Sequence, residues 1–422
     1  MKYRRIKGTN DVFGEEIWYW RFVEETFREV CESFGMEEIR TPIFEQTELF
    51  VRSVGEESDI VQKEMYTFED KGGRSITLRP EGTAPIVRAF LENSFVNRGF
   101  QQRYYYIGPM FRYEKPQSGR LRQFHQVGFE IFGSESPGAD LETILAVDSF
   151  LKRLGLTKYT IHLNSIGCPE CRKNYREALR EYYGKHLNDL CDDCKRRYET
   201  NILRLLDCKI DHELALNAPK STDYLCEPCR EHYEKLKDYL NEFEIKYVED
   251  HTLVRGLDYY TRTVFEVRHE GLGAQNAIAG GGRYDGLFSD LGGGTVPALG
   301  FAGGIERIVL ALKAEGIEVP RKNVHYLYVA TVGEDAFKEG MKLAMELRKK
   351  KKGLNVDVDI MNRKLSGQLK HADRLGAKYV VIVGDEELKK GVVVLRNLET
   401  GDQVEIDKEF AIEYIFEKAS KE

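Results

Sequence analysis

The stretch YIGPMFRYEKPQSGRLRQFHQVGFEIFG, residues 106–133, decides the fold of the larger part of the chain. It predicts two antiparallel strands joined by a short basic loop that contains Gly and Pro. Because side chains alternate across a strand, Arg112 shares one face with Glu114, and Gln126 shares one face with Glu130. The other face of the returning strand is mostly apolar. The hairpin therefore predicts a sheet with a core face and a polar face.

The polar face carries both signs of charge, which suits the floor of a ligand site. The planar fork of Arg112 suits a phosphate or a carboxylate, whereas Glu81 and Glu130 suit an ammonium group or an imidazole N–H. The loop adds a basic flap suited to nucleotide phosphates, formed by Lys115, Arg120 and Arg122. The alternative is an exposed hairpin held by surface ion pairs, which are common on sheets.

Three further motifs favour a ligand site over that alternative. Arg255 in VRGLDYY is a second cation beside a glycine and two tyrosines. The run GGGRYDG allows close backbone approach near Tyr284, although it could also be only a flexible turn. Arg307 lies near the start of a predicted helix, off its apolar stripe, and is a third candidate phosphate ligand. The chain has no P-loop, so these motifs predict nucleotide binding on an antiparallel sheet.

Length and charge exclude several classes of protein. A chain of 422 residues predicts two to four domains. No apolar run approaches the ~20 residues of a membrane helix, and no apolar stretch follows the basic start, so we expect a cytoplasmic protein without a membrane partner. The net charge of −7, from 63 Lys and Arg against 70 Asp and Glu, argues against a general polyanion binder. Local basic faces remain compatible with a nucleic-acid partner.

The chain changes character along its length. Residues 1–165 and 245–320 carry the strand and helix patterns of an α+β domain on a mainly antiparallel sheet; within them, residues 39–50 predict a strand. Residues 166–244 are strongly charged and helical, as in an insertion. Residues 323–422 alternate strands with helices, which predicts a C-terminal α/β domain with a parallel sheet and right-handed crossovers.

Seven of the eight cysteines lie in the insertion, as the pairs CPEC, CDDC and CEPC and the single Cys208. In a cytosolic chain such pairs favour metal ligation by thiolates over disulfides. A tetrahedral Zn²⁺ needs four ligands, and each pair supplies two. The alternative is reduced cysteines in a small helical domain. The pattern leaves open which four would bind among Cys168, Cys171, Cys191, Cys194, Cys226 and Cys229.

These motifs make the chain recognisable as a whole. It resembles the class II aminoacyl-tRNA synthetases and, within them, the histidyl-tRNA synthetase family, over essentially its whole length. Three stretches are similar to the motifs of the class: FGMEEIRTPIFE, MFRYEKPQSGRLRQFHQVGFEIFG and ALGFAGGIERIVLAL. Three others are similar to histidine-specific segments: LVRGLDYYTRTVFE, AGGGRYDGL and TLRPEGT. The resemblance implies the class II synthetase fold.

The resemblance also implies a role for each matching residue. Contacts to the substrate histidine and its amino group fall to Glu81, Gly82 and Thr83. The pocket around the imidazole would be shaped by Gln126, Glu130, Tyr259, Tyr260 and Tyr284. Arg112 and Arg255 would be catalytic, holding the α-phosphate from opposite sides and touching the histidine. The adenine and the outer phosphates would be held by Glu114, Arg120, Phe124 and Arg307.

The implied activity is that of a homodimeric histidine–tRNA ligase. It activates L-histidine with ATP and Mg²⁺ to histidyl-adenylate and then transfers histidine to the 3′ end of tRNA(His), with a C-terminal anticodon-binding domain. A rival is a non-catalytic regulatory subunit of histidine biosynthesis, which usually lacks that domain and has lost pocket residues. A sister synthetase for another amino acid fails on the motifs around Arg255 and Tyr284. Two features depart from the family: Leu121 stands where an aromatic is often found, and the cysteine pairs are not a required part of the enzyme.

Overall fold

The computed structural model describes residues 3–56, 58–99, 101–320, 327–350 and 355–420. The expected start of the C-terminal domain, residue 323, lies outside these residues. The chain divides into two compact units, Met1–Pro320 and Arg321–Glu422. Among the described residues, no helix is both long and apolar enough to cross a membrane.

The first unit contains eleven strands and ten α-helices among its described residues. The strands are β1 (Glu37–Glu38), β2 (Phe44–Gln46), β3 (Tyr66–Glu69), β4 (Ser75–Leu78), β5 (Gln102–Phe111), β6 (Gln123–Phe132), β7 (Tyr159–Ser165), β8 (Tyr247–Glu249), β9 (Thr261–His269), β10 (Ala277–Arg283) and β11 (Ala298–Gly304). The helices are α1 (Glu16–Ser33), α2 (Thr47–Val54), α3 (Thr83–Glu92), α4 (Pro137–Arg153), α5 (Pro169–Gly184), α6 (Asp192–Thr200), α7 (His212–Leu216), α8 (Glu227–Glu242), α9 (Leu287–Asp290) and α10 (Ile305–Ala314).

An eight-stranded sheet organises this unit, in the order β1-β5-β6-β11-β10-β9-β7-β8. The end pairs β1–β5 and β7–β8 are parallel, and the five pairs between them are antiparallel. The prediction of a mainly antiparallel sheet is confirmed. Helices α5 to α8 fill the stretch between β7 and β8, which agrees with a helical insertion in the fold.

One face of the sheet is covered by helices and forms the core. Buried Val23, Phe27 and Val30 recur at intervals of three and four residues along α1, so they face the sheet together. The Phe27 ring lies 5.1 Å from that of Phe150 on α4 and 6.5 Å from that of Phe129 on β6. Burying each such side chain contributes roughly 1.5–3 kcal/mol. On the opposite face, α3 and α9 cover one part of the central strands in a second buried cluster, and the cleft occupies the part that they leave free.

The strand prediction for residues 39–50 was only partly right. Only Phe44–Gln46 pairs as a strand, with β4 in a separate three-stranded sheet of order β2-β4-β3, and helix α2 starts at Thr47. Phe50 and Val54 are one helical turn apart and are both fully buried in the same small cluster. Helical spacing lets both side chains reach that cluster, whereas a strand would leave them on one face about 13 Å apart.

The central hairpin also ends earlier than its alternation predicts. Strand β5 stops at Phe111, after which the N–H of Arg112 donates to the Arg122 carbonyl at 2.9 Å. The N–H of Glu114 then donates back to the Arg112 carbonyl at 2.8 Å, so the chain turns. The prediction that Arg112 and Glu114 share a strand face was wrong. Both side chains come from the loop instead.

The second unit is a separate α/β structure. Its strands are β12 (Leu327–Val332), β13 (Val356–Val358), β14 (Tyr379–Gly384), β15 (Val392–Asn397) and β16 (Gln403–Asp407), and its helices are α11 (Glu334–Lys350), α12 (Leu365–Arg374), α13 (Asp385–Lys390) and α14 (Ala411–Ser420). Strands β13, β12 and β14 are parallel, whereas β15 and β16 add an antiparallel edge. All six residues of β14 are buried, as expected for a parallel strand covered on both faces. The predicted parallel sheet is confirmed.

Candidate active site

A row of small residues crosses the free face of the large sheet. Gly128 of β6 pairs with Ala302 of β11, which pairs with Gly280 of β10. A Cβ atom on Gly128 would come within 2.4 Å of the Tyr106 ring, and one on Gly280 within 2.7 Å of the Arg255 guanidinium. The row is therefore a trough that these two side chains occupy. The interpretation of GGGRYDG as only a flexible turn was wrong, because its three glycines lie in β10.

Two carboxyl groups are buried beside this trough. Glu130 is 1% exposed and Glu81 is 3% exposed. Glu130 accepts hydrogen bonds from the hydroxyls of Thr83, at 2.7 Å, and Tyr284. Glu81 accepts from the backbone N–H groups of Thr83, at 2.7 Å, and Ala84, at 2.9 Å, at the start of α3. Burial raises the pKa of both carboxyls, that of Glu130 well above its usual range, and these hydrogen bonds oppose the rise.

Tyrosine rings form a wall next to the carboxyl groups. The ring centroid of Tyr259 lies 4.8 Å from that of Tyr260 and 5.4 Å from that of Tyr284. All three side chains are buried. Among the described residues, the buried Tyr106 hydroxyl and the Gln126 Oε1 atom have no hydrogen-bond partner. A buried polar atom without a partner is costly, so both atoms are available to a ligand.

A chain of ion pairs holds Arg255 in place. Its Nη1 donates to Glu266 at 2.7 Å, and the other carboxylate oxygen of Glu266 accepts from Arg268 at 2.7 Å. Arg268 also donates to Asp250 at 2.8 Å, and His162 Nδ1 lies 3.1 Å from the same Asp250 oxygen. Burial alone would lower the pKa of Arg255, but Glu266 raises it overall. Arg255 is therefore a fixed cation, and its buried Nε has no partner in the described part of the chain.

Sequence reasoning did not assign Glu266 to the site, although this residue ends the motif LVRGLDYYTRTVFE. In β9 it stands between the buried residues Phe265 and Val267 and faces the trough. A carboxylate between the apolar residues of a predicted strand was a signal that could have identified it. Tyr106 was missed for a different reason: only the register with Gly128 brings its ring into the trough.

Arg112 reaches the cleft from the loop after β5. Its Nε donates to the Pro80 carbonyl at 2.9 Å, which ties it to the turn before Glu81. Its guanidinium carbon lies 5.3 Å from the centre of the Phe124 ring. This anchoring by Nε leaves the two terminal nitrogens to face a ligand.

Arg307 connects the loop to the start of α10. Its Nε donates to the Gly119 carbonyl and its Nη1 to the Ala277 carbonyl, both at 2.7 Å. In the same loop, Arg120 Nε lies 2.5 Å from Glu114 Oε2. Burial, and after it repulsion from Arg120, lower the pKa of Arg307. The basic loop thus contacts the cleft through Gly119 and Arg120, which favours a ligand site over an exposed hairpin held by surface ion pairs.

The cleft brings most of the predicted site residues together. It encloses about 1070 Å³ of empty space, its open mouth included. Its lining includes Glu81, Thr83, Arg112, Glu114, Arg120, Phe124, Gln126, Arg255, Tyr259, Tyr260, Tyr284 and Arg307. Two predicted residues lie behind that lining: Glu130, under Gly300, and Gly82, under the Tyr106 ring. Leu121, the departure from the family, also lines the cleft.

The predicted zinc residues fall into two groups. Cys168 and Cys171 lie with Cys226 and Cys229. Cys191 and Cys194 join neither of those pairs; they lie with Cys208 and Asp211. Sequence reasoning did not include Cys208 and Asp211 among the candidate ligands, because this pair has the spacing of C-x-x-C but an aspartate in place of the second cysteine.

Two family models cover nearly all of the chain. The model described as histidyl-tRNA synthetase matches residues 8–308. The model described as anticodon binding domain matches residues 327–418.

Full-length relatives agree with these models. The histidine–tRNA ligase of Thermotoga maritima is 82% identical over 422 residues, which is 100% of both chains, and that of Halothermothrix orenii is 51% identical over 96% of this chain and 97% of its own. Among solved structures, apo S. aureus histidyl-tRNA synthetase matches with a TM-score of 0.82 and 39% identity, covering 98% of this chain and 99% of its own. A Bacillus halodurans C chain described as an ATP phosphoribosyltransferase regulatory subunit/histidyl-tRNA synthetase has a TM-score of 0.66 at 24% identity, covering 91% of this chain and 98% of its own, and shows the fold alone. With a family model across most of its length and a full-length relative at 82% identity, the chain belongs to the histidyl-tRNA synthetase family.

Proposed function

We propose that the cleft binds L-histidine and ATP together and joins them into histidyl-adenylate and pyrophosphate. This is the first half of the histidine–tRNA ligase reaction, the activity of the family. One observation carries the proposal: a single cleft combines the buried carboxyl group of Glu81 and three tyrosines with the cations Arg112, Arg255 and Arg307, and the Glu130 carboxyl lies directly behind its lining. The first set suits an amino acid with an imidazole ring, and the second suits a triphosphate.

In this proposal the amino acid lies over the trough. Its ammonium group binds Glu81 and the Thr83 hydroxyl, beside Gly82. Its imidazole is surrounded by Gln126, Glu130, Tyr259, Tyr260 and Tyr284. The unpartnered Gln126 Oε1 and Tyr106 hydroxyl support this placement, because a polar ligand would give both a partner.

ATP, entering as its magnesium complex, binds next to the histidine carboxylate. Arg112 and Arg255 hold the α-phosphate and also reach the histidine. Phe124 stacks with the adenine, while Glu114, Arg120 and Arg307 hold the adenine edge and the outer phosphates. The fixed pairing of Arg255 with Glu266 supports its catalytic role, because a preorganised cation needs no rearrangement during reaction.

The reaction then follows from positioning and charge. A histidine carboxylate oxygen attacks the α-phosphorus in line, a new P–O bond forms, and the bond to the departing pyrophosphate breaks. Charge that develops on the phosphoryl oxygens is stabilised by Arg112 and Arg255. The protein forms no covalent intermediate.

The second half-reaction transfers the acyl group to tRNA(His). The 3′-terminal ribose hydroxyl attacks the acyl carbon, and AMP leaves. We assign residues 1–165 and 245–320 to the catalytic domain, 166–244 to the insertion and 323–422 to anticodon binding. The match of residues 327–418 to an anticodon-binding model supports the last assignment. We further propose a homodimer in the cytoplasm, as is usual for the family.

Histidine-dependent exchange between pyrophosphate and ATP tests the catalytic proposal. We expect exchange with histidine and none with the other amino acids, which serve as controls. A folded protein that binds histidine but catalyses no exchange would instead indicate the regulatory subunit. Charging of tRNA(His) is the next assay.

We also propose that the insertion binds Zn²⁺ in a structural role. The donors are thiols outside the cleft, so the ion would take no part in adenylate formation. Bound zinc would contribute folding free energy to a small helical region.

A further inference from the structure

Seven cysteines and one aspartate of the insertion form two separate clusters. The four-cysteine cluster contains Cys168, Cys171, Cys226 and Cys229, and the cysteine–aspartate cluster contains Cys191, Cys194, Cys208 and Asp211. Within each cluster, all four potential ligand atoms lie within 4.8 Å of one another. Four thiols, or three thiols and a carboxylate, in one small volume can supply the four ligands of a tetrahedral zinc site, so the structure contains two candidate sites.

The distances fit a metal and exclude disulfides. The Cys168 sulfur lies 3.5 Å from that of Cys171 and 3.9 Å from that of Cys226, and the Cys191 and Cys208 sulfurs are 3.8 Å apart. A tetrahedron with Zn–S bonds of about 2.3 Å has S–S edges of about 3.8 Å, whereas a disulfide bond is about 2.05 Å long. All eight cysteines are free thiols.

Each C-x-x-C pair opens a helix. Cys168, Cys191 and Cys226 are the N-caps of α5, α6 and α8. Backbone N–H groups also donate to sulfur, from Cys226 to Cys171 at 3.1 Å and from Asp211 to Cys208 at 3.4 Å. Helix N-termini and N–H donors favour the thiolate, which is the form that binds metal.

The four-cysteine cluster adjoins the tyrosine wall of the cleft. The N–H of Arg262 donates to the Gly167 carbonyl at 2.9 Å, and the N–H of Ile166 donates to the Arg262 carbonyl at 2.8 Å. Arg172, next to Cys171, donates to the Tyr260 carbonyl at 3.0 Å. Arg262 has φ of 49°, a conformation that a residue with a side chain adopts only when its surroundings hold it. The start of α5 supplies those surroundings.

We propose that the insertion binds two Zn²⁺ ions, one in each cluster, and that the ion in the four-cysteine cluster positions Tyr259 and Tyr260 for histidine binding. The ion joins the start of α5 to the start of α8. Arg172 of α5 donates to Tyr260, and Ile166 and Gly167, just before α5, hold the Arg262 backbone. The ion in the cysteine–aspartate cluster joins α6 to the turn at Cys208 and serves the insertion itself. This inference deepens the proposed zinc binding and histidine binding.

The number of ions is tested by elemental analysis of the purified full-length protein after reconstitution with Zn²⁺ and desalting. We expect two zinc ions per chain in the wild type, one in Cys226→Ser, one in Cys208→Ser and none in the double variant. The matched control is Cys31→Ala, a buried cysteine outside both clusters, which should keep two. No bound zinc, iron in its place, or loss of both ions in either single variant would overturn the proposal.

The link to the cleft is tested by the Michaelis constant for histidine in pyrophosphate exchange. We expect a rise of at least about fivefold in Cys226→Ser and little change in Cys208→Ser. Arg172→Ala should raise it as well while two zinc ions remain bound, so the test survives if Cys226→Ser fails to fold. Equal Michaelis constants for histidine in the wild type and in Arg172→Ala would overturn the proposal that the start of α5 positions Tyr259 and Tyr260.

Hydrogen exchange of the Ile166 and Arg262 amides gives a readout that does not need activity. Both should exchange faster in Cys226→Ser than in Cys208→Ser, and unchanged protection would contradict the link. If the wild type catalyses no exchange of pyrophosphate, the proposed catalytic function fails. Metal content and amide protection still test whether the insertion binds two zinc ions and whether one of them orders the backbone near Tyr260.

Discussion

The cleft and the insertion both gather polar side chains in buried positions, but they satisfy them differently. In the cleft, the buried carboxylates have partners within the protein: Glu266 pairs with Arg255 and Arg268, and Glu130 accepts from Thr83 and Tyr284. In the insertion, the clustered thiols lie mainly against one another. The difference teaches that the cleft is formed without its substrates, whereas the clusters call for an ion.

The reason is the cost of burying charge. An unpaired ion inside a protein costs several kcal/mol, so a site that must remain folded while empty needs internal partners. Thiols can stay neutral until a metal displaces their protons, so a cluster of thiols without metal buries no charge and costs little folding free energy.

Arg255→Ala should have the largest effect on catalysis. We expect histidine-dependent pyrophosphate exchange to fall by about 10²- to 10³-fold, because the fixed cation for the α-phosphate is gone. The fold should persist, since Glu266 keeps its pair with Arg268. Exchange kinetics and circular dichroism measure the two parts. Arg255→Lys keeps a positive charge without the planar fork, so its exchange rate should lie between those of the wild type and Arg255→Ala. Near-normal pyrophosphate exchange in Arg255→Ala would contradict the proposed contact between Arg255 and the α-phosphate.

Gly280→Ala should disturb the same cation indirectly. The new methyl group would lie 2.7 Å from the Arg255 guanidinium and push it out of the trough. Because a shift of about 1 Å can cost up to 10²-fold in rate, we expect a loss of about 10- to 10²-fold. Gly294→Ala is the control, as its new methyl group would meet nothing within 4 Å. Equal rates in the two variants would show that the trough does not position Arg255.

Glu130→Gln should separate stability from substrate binding. Burial raises the pKa of the Glu130 carboxyl in the folded protein, so wild-type stability falls as pH rises from about 4.3, its unfolded value, through the raised folded value. Glutamine has no charge to bury, so the variant should gain stability relative to the wild type over that range. Its histidine affinity should fall. Denaturant titrations across pH measure the first effect and calorimetry the second.

A pH-independent stability difference between Glu130→Gln and wild type would contradict the raised pKa. The matched control is Glu142→Gln, which removes an ion-pair partner of Arg103 outside the cleft. It should leave histidine affinity unchanged.

Glu181→Gln should have the smallest effect. Glu181 of α5 pairs at 3.0 Å with Lys185, the residue that follows the helix, and both side chains are mostly exposed. Such a pair contributes about 0.5 kcal/mol or less. We expect an unchanged melting temperature and two bound zinc ions, and a large drop in either would show that surface charge, not the thiol clusters, stabilises the insertion.

Sequence patterns predicted the elements whose periodicity is regular. The alternation in β6 and the strand–helix order after residue 327 were enough to predict the type of the eight-stranded and the five-stranded sheet. They failed where the chain leaves a regular element, as at Arg112 and at Thr47, because local hydrogen bonds and burial decide where a strand ends. The roles of the cleft residues came from resemblance to a family and stay predictions.

The sequence by itself determined which chemistry the chain possesses. The arginines, carboxylates, tyrosines and C-x-x-C pairs can all be identified from the sequence, and so can the family that they indicate. Only the tertiary structure decided which of them meet. Strand register set Tyr106 over Gly128, and the pairing of β9 with β10 set Glu266 beside Gly280, under Arg255. The approach of the starts of α5 and α8 grouped Cys168 with Cys226. Partners distant in the chain are chosen by burial and register, which local spacing does not encode.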